Sequence, residues 1–233
     1  MQGILLVDKP KGWTSFDVVN YVRRQVAGKV GKKPKNVKVG HTGTLDPFAT
    51  GLLVLLIGKE YTKQAQVLSK ADKTYEVTIR FGAKSTTGDP EGEITAVESK
   101  PPTETALREA LQRFTGEIAQ IPPAYSAIKV DGKRAYELAR AGKAVQLEPR
   151  KVIIYSLKLV SYDYPEAKLL AHVSSGTYIR TLVEDIAGYL GTAAYTTALR
   201  RTQVGKFSID DVQIDITAAK TAQEFNIEEA LRS

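Results

Sequence analysis

The run VGHTGTLDPFATGLLVLLIGK, residues 39–59, constrains the fold more than any other stretch of this chain. Its second half, Leu52 to Ile57, is six apolar residues bounded by Gly51 and Gly58, which suits a strand buried on both faces. Its first half is a polar loop with a histidine, threonines, glycines and an aspartate. A loop anchored by such a strand is held rigid, and rigid loops are where chemistry is placed. Pro47 pushes Asp46 away from the helical region. From the loop alone two readings stand side by side: Asp46-Pro47 as a helix N-cap and N1 pair or a simple turn, and Asp46 as a catalytic carboxylate. A phosphate-binding loop is disfavoured, because no Gly-Lys-Ser or Gly-Lys-Thr follows the glycines.

Around this run the chain alternates short strands and helices without a repeat. GILLVDKP reads as a strand ending at Pro10, and TSFDVVNYVRRQVAG as a helix capped by Thr14 or Ser15 and closed by Gly28. GKVGKKPKNVKVG places five lysines among glycines and a proline, a mobile basic loop. KTYEVTIRFG alternates strictly, with Tyr75, Val77, Ile79 and Phe81 on one face, as a half-buried strand does. TTGDPEGE is turn chemistry before a short strand at ITAVE, and TETALREALQRFTG is a helix stopped by glycine. IPPAYSAIKVDGKRAYELARAG, with a hairpin-like Asp131-Gly132 turn and a short helix, looks like an excursion from the core. RKVIIYSLKLVSYDY and AKLLAHVS are strands, GTYIRTLVEDIAGYLG is an amphipathic helix, TTALRRTQVGKFSI returns to strand, and a short helix precedes Ser233. The pattern lacks the regular beat of a doubly wound sheet, so the fold class is α+β with a mixed or largely antiparallel sheet.

Composition narrows the function. Of the 233 residues, 42% are hydrophobic and 25% charged, as in ordinary soluble globular proteins. A net charge of +7 favours a polyanionic partner. The absence of cysteine excludes disulfides, zinc fingers and thiol nucleophiles, and two histidines, His41 and His172, are too few for an imidazole-rich metal centre. No apolar run reaches the length of a membrane span and no signal peptide opens the chain, which predicts a cytoplasmic protein.

Four motifs, LLVDKPKGWTS, GHTGTLDPFATGLL, IPPAYSAIKVDGKRAYELARAG and GTYIRTLVEDI, occur in an order and spacing that resemble the TruB family of pseudouridine synthases, from Gly3 to about Val212. The resemblance implies a pseudouridine synthase fold: a mixed, largely antiparallel central sheet flanked by helices, with a thumb-like insertion at about 119–150. It implies one catalytic domain over 1–233. Most relatives continue into a PUA-type RNA-binding module, which is expected to be absent here.

The same resemblance implies the activity: isomerisation of the uridine at position 55 in the T loop of tRNA, flipped out of its stack. The family's catalytic aspartate falls on Asp46 and its arginine on Arg180, the cation that keeps the carboxylate ionised. By pattern alone Arg180 lies beside the buried stripe of its helix, in a first turn where the dipole disfavours a positive charge, and a pair with Glu184 is the plainer alternative. Substrate contacts carried over are His41, which inserts among the T-loop bases, Tyr75, which stacks on the uracil, and Tyr178 and Leu199, which touch the target nucleotide. The plain alternatives are a solvated histidine, a core aromatic, a helix-surface aromatic and a core leucine. His172 is read as structural, and Lys9 and Pro10 as supports of the loop. The family pattern implies no cofactor, no metal and no guide RNA, and a monomer acting on the T stem and loop of tRNA. The lysine loop, Arg23, Arg24 and the 129–140 excursion are candidate phosphate contacts. The rival reading is a folding chaperone that remodels the tRNA elbow independently of catalysis.

Overall fold

A computed structural model of the chain describes residues 1–126, 128–130 and 132–216. The short helix expected before Ser233, and Asp131 of the expected turn, lie outside them.

In chain order, β1 (Gly3–Lys9) leads to α1 (Ser15–Lys29), a 3-10 turn (Pro34–Asn36), β2 (Val39–His41), β3 (Thr50–Ile57), the short helices α2 (Lys59–Thr62) and α3 (Ala65–Leu68), and β4 (Lys73–Phe81). Next come β5 (Ala83–Ser85), β6 (Ile94–Ala96), α4 (Glu104–Arg113) and β7 (Gly116–Gln120). The excursion holds β8 (Lys129–Val130), β9 (Lys133–Arg134) and α5 (Ala135–Arg140), followed by β10 (Arg150–Asp163), β11 (Glu166–Val173) and α6 (Ile179–Tyr189). The chain returns as β12 (Ala194–Val204), β13 (Phe207–Ser208), a second 3-10 turn (Ile209–Asp211) and β14 (Ile214–Asp215).

These elements form two compact units, Met1–Glu76 with the segment from Leu199, and Val77–Ala198. In the first the strand order is β14-β1-β3-β12, with β2 on β3 and β13 on β12. β1 and β2 run antiparallel to β3, whereas β1–β14 and β3–β12 are parallel, so the sheet is mixed. Leu52 to Ile57 are fully buried. Leu53, Leu55 and Ile57 face Val18, Val19, Val22 and Val26 of α1, while Leu52 and Val54 pack with Leu6 and Val204 on the other side. Both faces of β3 are thus covered, and each of these side chains contributes about 1.5–3 kcal/mol of hydrophobic burial.

Thr14 caps α1: its Oγ1 accepts from the Asp17 N–H at 3.1 Å, and the Asp17 carboxylate accepts from the Thr14 N–H at 2.9 Å. The sequence reading closes α1 at Gly28; the helix instead runs through Lys29. The left-handed position that ends it belongs to Gly31, φ 61°, with the Lys32 N–H returning to the Ala27 carbonyl in a Schellman turn.

In the second unit the order is β12-β4-β11-β10-β7, with β10 antiparallel to both β11 and β7. The alternation of β4 is as expected: Val77, Ile79 and Phe81 are buried, Glu76 and Arg80 exposed. α4 packs on β10 and against α6. Between β7 and β10, β8 and β9 pair with each other as a separate two-stranded sheet, in the stretch where the thumb-like insertion is expected. No helix among the described residues is long and apolar enough to cross a membrane.

Candidate active site

In the first unit the loop between β2 and β3 is staked from several directions. Its backbone turns at Asp46-Pro47, where the Ala49 N–H donates to the Asp46 carbonyl at 3.1 Å. Asp and Pro thus occupy the first two positions of a β-turn rather than of a helix. Leu45 and Phe48, on either side, are buried, while Asp46 between them is half-buried. The apolar neighbours anchor the turn and leave the carboxylate at its edge. Ser15 Oγ bonds both the N–H (2.8 Å) and the carbonyl (3.2 Å) of Leu45. Lys9, wholly buried, donates its Nζ to the carbonyls of Pro10 (2.9 Å), Trp13 (2.6 Å) and Pro47 (3.3 Å), and the Gly12 N–H donates to Pro47 as well (2.8 Å). Lys9 therefore binds the end of β1 to the peptide that follows Asp46, the supporting role read from the sequence.

The other edge of the loop rests on Arg201 of β12, one of the largest fully buried side chains. Its guanidinium donates to the carbonyls of Leu52 (2.8 Å) and Gly43 (3.0 Å). At Gly51, φ 103°, a Cβ would sit 2.3 Å from the Arg201 carbonyl oxygen, so only glycine lets β3 and β12 approach here. His41 is half-buried and its Nδ1 accepts from the Gly43 N–H at 3.2 Å, which leaves the proton of the neutral ring on Nε2. Burial, and then the charge of Arg201, hold its pKa below the ordinary value. Tyr75 on β4 is 8% exposed and Leu199 on β12 is buried. This unit thus carries His41, Asp46, Tyr75 and Leu199.

Arg180 and Tyr178 belong to the second unit. Arg180, in the first turn of α6, is 4% exposed and pairs at 3.4 Å with Asp89, which is 3% exposed. It also donates to the carbonyls of Thr87 (2.7 Å) and Tyr125 (3.0 Å). The other Asp89 oxygen accepts from Thr87 Oγ1 (2.6 Å) and the Glu91 N–H (3.0 Å). A buried guanidinium that spreads its donors over a carboxylate and two carbonyls is positioned to within a rotamer. Tyr178 is the N-cap of α6 and half-buried; the Gln120 side chain clamps its backbone, accepting from its N–H at 2.8 Å and donating to its carbonyl at 3.1 Å. Asp89, Gln120 and Arg201 are the site residues that sequence reasoning missed. The only signal was chemical: Asp89 lay in a segment read as turn, and Arg201 in a strand whose burial pattern a charge interrupts.

Two family models match the chain, the TruB family pseudouridylate synthase N-terminal domain over residues 30–179 and the tRNA pseudouridylate synthase B C-terminal domain over residues 180–233. The chain belongs to the TruB family. It is 48% identical over 225 residues to tRNA pseudouridine synthase B of Burkholderia mallei, covering 96% of this chain and 72% of the relative. It is 47% identical to the enzyme of the same name from Bordetella avium, covering 95% and 88%. Among solved structures, a chain of a Cbf5–Nop10–Gar1 complex superimposes with a TM-score of 0.69 at 26% identity. That match covers 92% of this chain and about half, 52%, of the other. TruB membership also accounts for the fold, a mixed sheet flanked by helices.

Proposed function

We propose that the protein is an RNA-modifying isomerase that converts the uridine at position 55 in the T loop of tRNA to pseudouridine, with Asp46 as the reacting carboxylate. Isomerisation breaks the N1–C1′ bond, turns the uracil, joins C5 to C1′, loses the C5 proton and gains one at N1, so it consumes no electrons, phosphate or metal. It needs a carboxylate fixed beside the sugar or ring as nucleophile or base. The observation that carries the reading is the Asp46 turn, held at its edge by buried Leu45 and Phe48 and by the Lys9 and Gly12 bonds to Pro47, in a chain of the TruB family. Arg180 takes the role of the catalytic cation, supported by its burial and by Asp89, Thr87 and Tyr125, which help to orient it.

His41, Tyr75, Tyr178 and Leu199 contact the nucleotide in this reading. A neutral His41 suits insertion among unstacked bases, and Tyr75 offers a ring for stacking. The enzyme acts as one catalytic domain and a monomer, in the cytoplasm, with the insertion at 119–150 closing on the T stem and loop and with neither cofactor nor guide RNA. The test is incubation with unmodified tRNA followed by mapping with a pseudouridine-specific chemical probe. Modification at position 55 is expected; its appearance elsewhere or nowhere overturns the reading. tRNA refolding without isomerisation would instead favour the chaperone.

A further inference from the structure

The first turns of α1 and the residues leading into them enclose an open-mouthed cavity of about 420 Å³, lined by Gly12, Trp13, Asp17, Asn20, Tyr21 and Arg24. We infer that this cavity is a second nucleotide subsite, which takes one base of the RNA strand that presents the reacting uridine and pairs its phosphate with Arg24. The inference rests on the proposed function for its choice of strand, and on the cavity itself for its chemistry.

Each part of a nucleotide has a counterpart in the lining. Trp13 and Tyr21 pack edge to face, ring centroids 6.0 Å apart at 73°, and give the cavity aromatic walls. Unstacked RNA bases are held on such rings. Asn20 accepts from Arg23 through its amide oxygen at 2.7 Å, and its amide N–H groups have no partner among the described residues. One oxygen of Asp17 is engaged by the N–H and Oγ1 of Thr14 at 2.9 and 2.6 Å, while the other accepts no bond from a described residue. An amide donor and a carboxylate acceptor, one turn apart, suit the mixed donors and acceptors of a base edge. Arg24 is exposed and has no ion pair among the described residues. It lies seven residues beyond Asp17 on the same side of the helix, about 10 Å along the axis, far enough to keep a phosphate away from that carboxylate.

The place of the cavity makes it a neighbour of the chemistry rather than a remote surface feature. Gly12, at its lip, donates to the Pro47 carbonyl, and buried Lys9 bonds the carbonyls of Trp13 and Pro47 together. The peptide after Asp46 and the aromatic wall are therefore held by one ammonium group.

Trp13 is the one tryptophan of the chain, so its emission reads the subsite directly. An RNA hairpin with the T stem and loop of tRNA is titrated into the full chain while tryptophan emission and the anisotropy of labelled RNA are followed together. A base stacking in the cavity quenches emission with the midpoint of binding. Arg24→Ala, on an exposed side chain, raises KM for tRNA about 10-fold while kcat stays within a factor of two, and Tyr21→Leu weakens the quench. Cytidine monophosphate at 1 mM leaves emission unchanged; quenching at micromolar concentrations would mean a free-nucleotide site and overturn the strand assignment. Full RNA binding with unaltered emission, or an unaltered KM in Arg24→Ala, overturns the subsite. Failure of wild type to isomerise tRNA counts against the proposed function alone, because the quench needs no turnover.

Discussion

Arg180 holds a guanidinium almost out of water, and what surrounds it decides what replacement does. Arg180→Lys keeps the charge but loses the planar fork that reaches Asp89, Thr87 and Tyr125 at once. Turnover is expected to fall by orders of magnitude in a single-turnover assay, with the thermal midpoint lowered by only a few degrees. Asp89→Asn removes the opposite charge and should destabilise the fold by about 3 kcal/mol in urea titration, the cost of a buried ion pair broken from one side. His41 sets a pH signature. Its folded pKa lies below the ordinary 6.5, so below pH 6.5 the unfolded chain takes up a proton that the folded chain resists. Stability therefore drops as pH falls through 6.5 and levels off below the folded pKa. The thermal midpoint of His41→Gln should lose less than that of wild type over this window. Asp46, Arg180 and His41 were singled out as candidates because a family motif surrounds each of them. Asp89 and Gln120 were not, since their partners are contributed by segments far along the chain and no local spacing announces them.

Elements were read best where one face or both faces are buried. The apolar run of β3 and the alternation of β4 state their burial directly in residue order. The cap of α1 was also visible, and Thr14→Ala should cost about 1 kcal/mol, measured by denaturant midpoint, because it removes the Oγ1 that accepts from the Asp17 N–H while the bond from the Thr14 N–H to the Asp17 carboxylate remains. The end of α1 was misplaced because two glycines follow within four residues, and only the Schellman bonds choose Gly31 over Gly28. Gly51 carries a constraint that sequence inspection assigned merely to the strand boundary. Gly51→Ala forces a Cβ into the Arg201 backbone at a left-handed φ, and a loss of at least about 2 kcal/mol is expected. Pairing partners were not legible at all: the parallel contact of β12 with β3 joins residues near 50 and 200, a choice made by tertiary packing.

For the whole molecule, the excess of positive charge ties function to ionic strength. Lys29, Lys32, Lys33, Lys35 and Lys38 are all exposed, around a single 3-10 turn. If they meet phosphates, log affinity for tRNA falls linearly with log salt, and replacing Lys32, Lys33 and Lys35 by glutamine reduces the slope by roughly two. An unchanged slope in filter-binding titrations would leave these lysines as solvated surface without touching the catalytic reading. That reading depends on the carboxylate at the edge of the buried loop. Its most direct test is single-turnover conversion of unmodified tRNA by wild type and Asp46→Asn, with RNA occupancy matched by a separate binding measurement. The account predicts complete conversion at position 55 by wild type and equal binding but no pseudouridine from Asp46→Asn. Conversion by Asp46→Asn within a few-fold of the wild-type rate would contradict it.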